Sequence, residues 1–93
     1  MNKYKGMYIV RPDLTEEKYA QVIEEINKIF TDNGSTVDSV DVWGLREMAY
    51  EIEDFRKGYY VVFLTTASPE ALNEYNRILN IREDVIRHII VKE

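Results

Sequence analysis

The chain of 93 residues carries a formal net charge of −5, with 45% hydrophobic and 31% charged residues. This length and composition predict one ordinary globular domain spanning residues 1–93, not a disordered chain. The absence of cysteine excludes disulfides, thiolate metal sites and cysteine catalysis, and the negative charge disfavours a protein that binds polyanions strongly without sequence preference.

The first third of the chain predicts a strand followed by an amphipathic helix. The strand covers Lys3 to Arg11, has apolar residues on both faces, and is stopped by Pro12 and Asp13. Asp13 or Thr15 is expected to cap the helix. Its apolar positions recur at helical spacing: Tyr19, Val22, Ile23, Ile26 and Phe30. Gly34 suits the left-handed position that follows a helix.

The middle of the chain predicts two strands. Ser35 to about Ile52 is a long extended segment that does not alternate cleanly, which favours a bulge at Gly44. A polar turn is predicted over residues 53–58. Tyr59 to Thr66 is apolar on both faces, which is typical of a central strand.

The last third predicts a second helix and a final strand. Ser68 is placed as the helix cap and Pro69 as its first residue. The buried stripe comprises Leu72, Tyr75, Ile78 and Leu79. The chain then turns through residues 80–84, and a strand runs from Val85 to about Lys92.

The element order β-α-β-β-α-β predicts the ferredoxin-like split fold of the α+β class. In this fold two helices cover one face of a four-stranded antiparallel sheet, with the first and third strands in the middle. The other face is left open. It is expected to expose Met7, Ile9 and alternate residues of the segment 59–64 as an apolar contact surface.

No pattern in the chain predicts catalysis. His88 is the sole histidine and is interpreted as a packing or surface residue that could pair with Asp84. No serine nucleophile, phosphate-binding loop or metal-ligand set is recognisable. We therefore predict no catalytic residue, no metal site and no cofactor.

The segment from Trp43 to Ile52, WGLREMAYEI, resembles the W-G-x-R-x-L-A-Y-x-I signature of the bacterial small-subunit ribosomal protein S6 family, with Met48 in place of leucine. Further similarities to that family lie at Tyr4 and residues 9–12, 58–60, 79–88 and 90–92. The resemblance runs along nearly the whole chain, and the fold of that family is the split β-α-β arrangement.

The resemblance implies a structural constituent of the small ribosomal subunit, not an enzyme, with no small-molecule substrate. Members of the family pair with the small basic ribosomal protein S18 and bind the central domain of the 16S ribosomal RNA during assembly of the platform. An acidic chain suits this role, since the basic partner can neutralise many phosphates. A cytoplasmic location on the ribosome is expected, because no apolar run approaches a membrane span and no secretory leader is recognisable.

The resemblance also suggests which residues make the contacts. The candidates for RNA contact are Arg46, Arg82 and Arg87, with Lys3 and Lys92 as further candidates. The candidates for the partner interface, or for packing beside it, are Trp43, Leu45, Tyr50 and Tyr60. For each arginine the alternative is a solvated salt bridge, for example to Glu83 or Asp84.

A second function remains open at this point. Small enzymes and ligand sensors of the dimeric ferredoxin-like kind enclose a pocket between two sheets packed face to face. An open apolar sheet face is compatible with that arrangement, whereas the lack of a constellation of polar catalytic groups counts against it.

Overall fold

Six elements follow one another in a computed structural model that describes residues 1–93. They are β1 (Asn2–Val10), α1 (Glu16–Asp32), β2 (Thr36–Ile52), β3 (Phe55–Ala67), α2 (Pro69–Ile81) and β4 (Val85–Lys92). The strands form one antiparallel sheet in the order β2-β3-β1-β4, so β1 and β3 lie in the middle. The predicted ferredoxin-like β-α-β-β-α-β fold is confirmed.

Side-chain caps explain where the helices begin. The Thr15 hydroxyl accepts a hydrogen bond from the backbone N–H of Lys18 at 3.2 Å, so Thr15 and not Asp13 caps α1. Ser68 caps α2 in the same way through the N–H of Ala71, and proline is the first residue of that helix. Neither helix is long and apolar enough to cross a membrane.

The main core lies between the two helices and one face of the sheet. Phe63 of β3 and Tyr75 of α2 meet edge to face, with ring centroids 5.5 Å apart. Phe30 of α1 packs against both rings. Other buried residues of this core, from strands and helices alike, are Tyr8, Val10, Val22, Ile26, Val61 and Leu79. The sheet is therefore anchored on this side, which we call the helix side.

The opposite side of the sheet, which we call the open face, is less open than predicted. Ile9 and Val62 point away from the helices, yet they are only 3% and 8% exposed. Met7 beside them is half-buried. The expectation of an exposed apolar centre was therefore wrong for Ile9 and Val62, and part of β2 folds over Ile9.

Irregularities in β2 produce this cover. The predicted bulge at Gly44 is confirmed: Trp43 is left unpaired between two ladder positions, and Gly44 has a φ of +80° that favours glycine. A larger irregularity follows, because residues 48–51 lie between the pairs Glu47↔Lys57 and Ile52↔Phe55. We call residues 48–51 the wide bulge.

The turn after the wide bulge is shorter than predicted. β3 begins at Phe55, so the turn comprises Glu53 and Asp54 alone and not residues 53–58. Both turn residues have a positive φ, 52° and 68°, as a two-residue hairpin turn requires. The polar residues Arg56 and Lys57 misled the prediction, because they belong to an exposed stretch of strand.

Candidate functional site

Two of the six arginines differ from the rest in having no carboxylate partner. Arg11, Arg56, Arg77 and Arg82 each form an ion pair with a nearby acid, at 2.8–3.2 Å. Arg46 and Arg87 form none. Strand register places both on the open face, since Arg46 lies opposite Gly58 and Arg87 lies opposite Ile9. The open face thus carries the unpaired guanidinium groups of the protein.

Arg46 is held against an aromatic side chain. Its guanidinium carbon lies 5.1 Å from the ring centroid of Trp43, within the range of a cation–π contact. The indole is nearly parallel to the ring of Tyr60, with 13° between planes and 6.3 Å between centroids. Its Nε1 donates a hydrogen bond to Asp41 at 3.0 Å. Trp43 is still 43% exposed, so its orientation is restrained while much of its surface stays accessible.

Arg87 is held against a second aromatic side chain. Its Nη1 donates to the Tyr50 hydroxyl at 3.2 Å. Tyr50 belongs to β2 and Arg87 to β4, the two edge strands. These strands are separated by about 14 Å across the sheet, taking roughly 4.8 Å per strand. The wide bulge therefore carries Tyr50 across the open face, and Trp43–Arg46 and Tyr50–Arg87 form two aromatic–arginine pairs.

A small cleft lies under the wide bulge, between the two aromatic–arginine pairs. Its volume is about 190 Å³. Its lining is apolar apart from Arg87, and comprises Met7, Ile9, Met48, Ala49, Tyr50, Ile52 and Tyr60. No carboxylate, histidine or lysine lines it, so the cleft suits packing of an apolar group. No group of histidine, cysteine or acidic side chains in the chain could hold a metal ion.

Arg82 has a different environment from the two unpaired arginines. It donates two hydrogen bonds to Asp84 at 2.9 Å and reaches Glu25 of α1 at 2.9 Å. Its side chain and that of Asp84 are each 19% exposed. Hydrogen bonding to Arg82 lowers the pKa of Asp84. The salt-bridge alternative therefore describes Arg82, whose contact with RNA stays an untested prediction.

His88 does not pair with Asp84, because Arg82 occupies that carboxylate. His88 instead meets Tyr75 of α2 edge-on, with ring centroids 5.5 Å apart. Burial lowers the pKa of this histidine. It is a packing residue, which agrees with the interpretation made from the sequence.

The remaining candidate residues do not form one cluster. Lys3 lies on the open face opposite Thr66, six residues along β1 from Ile9, and is thus about 20 Å along the sheet from the position of Arg87. Lys92 lies opposite Tyr4 on the helix side. Leu45 also belongs to the helix side, since it lies opposite the buried Tyr59. Of the predicted contact residues, those brought together on the open face are Arg46, Arg87, Trp43, Tyr50 and Tyr60.

Two features of this surface escaped sequence reasoning. Asp41, the hydrogen-bond acceptor of the Trp43 indole, had no distinguishing pattern. The wide bulge had one usable signal, since β2 has 17 residues and its neighbour β3 has 13. Strands of unequal length joined by a tight turn must contain extra residues that leave the ladder.

Comparisons with known proteins agree with the fold and the sequence signature. The family model described as ribosomal protein S6 matches residues 3–92. A crystal structure of 30S ribosomal protein S6 from Thermotoga maritima superposes with a TM-score of 0.93 at 27% sequence identity. The alignment covers 99% of this chain and 87% of that one. The chain belongs to the ribosomal protein S6 family.

Proposed function

We propose that this protein is a structural component of the small ribosomal subunit that binds the central domain of 16S ribosomal RNA together with the basic protein S18. Family membership and fold support the structural role and favour it over the dimeric enzyme or ligand sensor. The open face is proposed as the RNA-contacting side. Arg46 and Arg87 are its principal phosphate ligands.

The absence of ion pairs at Arg46 and Arg87 is the observation that carries this proposal. A guanidinium that is free of carboxylates can take a phosphate without first breaking an existing pair. Part of the negative charge lies on the opposite side of the sheet, since α1 carries Glu16, Glu17, Glu24, Glu25 and Asp32 on the helix side. The charge distribution therefore favours approach of a polyanion from the open face despite the net charge of −5.

The outer edge of β2 is proposed as the side that meets S18. Leu45 is 55% exposed, and Val42 and Val40 are 46% and 37% exposed along the same side of this edge strand. Asp38, Asp41 and Glu47 accompany this apolar row. An apolar strip bordered by acids complements a basic partner, with apolar area for affinity and charge for orientation. Trp43 and Tyr60 lie beside this strip on the open face, whereas Tyr50 crosses that face to reach Arg87.

The test is a gel shift with the central-domain RNA fragment and three protein samples: this chain, S18, and the two together. We expect a shift that requires both proteins, since the negative charge opposes encounter with RNA when the chain is alone. Arg46→Ala and Arg87→Ala should each reduce the slope of log affinity against log salt by about 0.7–0.9. Arg77→Ala, which removes an ion-paired arginine on α2, is the matched control.

Three results would contradict the proposal. One is the absence of a ternary complex under conditions that support assembly. Another is a complex whose salt dependence is the same for Arg46→Ala, Arg87→Ala and Arg77→Ala. The third is a stable homodimer with no affinity for RNA, which would favour the ligand-binding alternative.

A further inference from the structure

We propose that the open face binds a short unpaired stretch of RNA, with one base stacked on Trp43 and the flanking phosphates held by Arg46 and Arg87. This inference rests on the proposed RNA-binding function. It adds that the RNA at this site is unpaired and that Trp43 is the residue that contacts a base. Five observations on the described residues lead to it.

The first observation is the accessible surface of Trp43. The bulge at Gly44 turns this side chain onto the open face, where it stays 43% exposed although it stacks near Tyr60. A large exposed aromatic side chain on a sheet is a platform on which any base can stack. A base inside a duplex cannot reach such a platform, which selects unpaired nucleotides.

The second observation is that the platform is restrained before a ligand arrives. The Nε1–H···Oδ2 bond to Asp41 at 3.0 Å fixes the edge of the indole, and the Arg46 guanidinium lies 5.1 Å from its ring. Little side-chain entropy would be lost on binding, because the ring already has one orientation. An indole serving as general apolar surface would not need three polar or aromatic contacts to hold it.

The third observation is the alignment of the groups across the sheet. Gly44, Tyr60, Ile9 and Arg87 are successive cross-strand neighbours on β2, β3, β1 and β4. This row is about 14 Å long, taking roughly 4.8 Å between strands. Arg87 occupies one end of this row. Arg46 lies two residues beyond Gly44 on β2, at the opposite edge of the sheet, with Trp43 and Tyr60 near it. The wide bulge covers Ile9 in the middle of this row, so a strand of RNA would pass over residues 48–51, between Arg46 and the aromatic rings at one edge and Arg87 at the other.

The fourth observation is the state of Arg87. Its one side-chain partner is the neutral hydroxyl of Tyr50, at 3.2 Å. The bond orients the guanidinium over the open face and leaves its charge uncompensated. A phosphate oxygen would therefore gain a charge-assisted hydrogen bond there.

The fifth observation concerns the opposing charge. Asp41 faces the same side of β2 as Trp43 and would repel a phosphate placed next to the indole Nε1. The phosphates must then lie toward Arg46 and Arg87, which leaves the base over the ring. The geometry also predicts that Asp41→Asn, which keeps an acceptor oxygen without the charge, binds RNA more tightly than the parent chain.

The test uses the intact chain at low salt and high protein concentration, where the weak binding expected without S18 can be measured. The ligand is a fluorescein-labelled single-stranded oligoadenylate, with a duplex of the same length as the control nucleic acid. Trp43 is the sole tryptophan, so its intrinsic fluorescence reports on this site directly. We expect quenching of Trp43 that saturates in parallel with the anisotropy of the labelled RNA. The duplex should bind more weakly and leave the fluorescence of Trp43 unchanged.

Variants separate stacking from charge. Trp43→Ala should weaken binding of the single strand by about tenfold, whereas Trp43→Phe should retain most of the affinity in the anisotropy assay. Arg46→Ala and Arg87→Ala should each weaken binding and its salt dependence, and Arg77→Ala should do neither. A thermal melt of each variant identifies any loss of affinity that comes from unfolding.

The outcomes distinguish this inference from the proposed function. Binding of the single strand with no change in Trp43 fluorescence, or with equal affinity for Trp43→Ala, would overturn the stacking. Failure to bind single strands, together with formation of the ternary complex on the ribosomal RNA, would overturn the inference and leave the proposed function standing. Quenching by oligoadenylate without any ternary complex would do the reverse.

Discussion

Replacing Arg82 should destabilise the protein, whereas replacing Arg46 or Arg87 should not. Arg82 makes two hydrogen bonds to Asp84, and both side chains are 19% exposed. Bonds to charged groups contribute about 1.5–3 kcal/mol when one partner is lost. The further pair with Glu25, which is 43% exposed, adds at most about 1 kcal/mol. We therefore expect Arg82→Ala to lower the free energy of unfolding by about 2 kcal/mol.

Urea unfolding followed by circular dichroism measures this change. With a slope of about 1.5 kcal/mol per molar for a chain of this size, the midpoint should fall by about 1.3 M. Arg46→Ala, Arg87→Ala and the exposed-pair control Arg77→Ala should each stay within about 0.5 kcal/mol of the parent chain. Arg82→Met keeps the aliphatic packing of the stem, so it separates the loss of charge from the loss of contact area.

The pH dependence of the same variant gives a second test. The pKa of Asp84 is lowered in the folded chain, so its ionisation contributes stability above the unfolded value of about 3.9. That contribution is lost as the pH falls through the lower folded value. The difference between the parent chain and Arg82→Ala should therefore shrink at acid pH. An unchanged midpoint for Arg82→Ala at neutral pH, or an equal loss for Arg46→Ala, would refute this division into structural and binding arginines.

Three further predictions concern packing, backbone and titration. Gly6→Ala should cost about 1–3 kcal/mol in urea unfolding, because a methyl group there meets the buried ring of Phe63, and Phe63→Leu in the same chain should recover part of the loss. A Cβ at position 44 would have free space around it, so Gly44→Ala should lower the free energy of unfolding by about 1–2 kcal/mol through the φ of +80° alone. His88 has a lowered pKa in the folded chain, so its protonation reduces stability as the pH falls below about 6.5. His88→Gln should flatten thermal stability between pH 7 and 5, and an unchanged pH profile would contradict that role.

The fold could be predicted from the sequence because its information is local. Helical spacing from Tyr19 to Phe30 placed α1, and the pair Ser68-Pro69 placed the start of α2. Residues 59–64 are apolar on both faces, which identified β3 as a central strand. Its pairing with both β2 and β1 confirms this prediction. Each of these patterns reports the environment of a residue through neighbours within about one turn or two strand positions.

The arrangement of the candidate site could not be predicted in this way, because it depends on contacts between residues that are distant in sequence. Tyr50 and Arg87 are 37 residues apart and meet only because residues 48–51 leave the ladder. Arg82, Arg46 and Arg87 look equivalent in the sequence, and Glu83 or Asp84 could have paired with either of the last two. The turn after α2 brings Arg82 to Asp84, two residues away, and the two side chains pair. Leu45, adjacent to Arg46, points to the helix side and is thereby separated from the aromatic candidates on the open face.

This separation bears on how one small acidic domain could contact both RNA and a basic protein. Successive residues of β2 alternate between two surfaces, so Leu45 and Arg46 serve opposite sides of the same strand. The extra residue at Trp43 shifts that alternation and adds an aromatic ring to the side that holds Arg46. In a regular strand, residues 43 and 46 would point to opposite sides of the sheet. The extra residue therefore places the ring of Trp43 and the cation of Arg46 on the same side. The bulge at Gly44 is therefore the local feature on which the cationic, aromatic character of the open face depends.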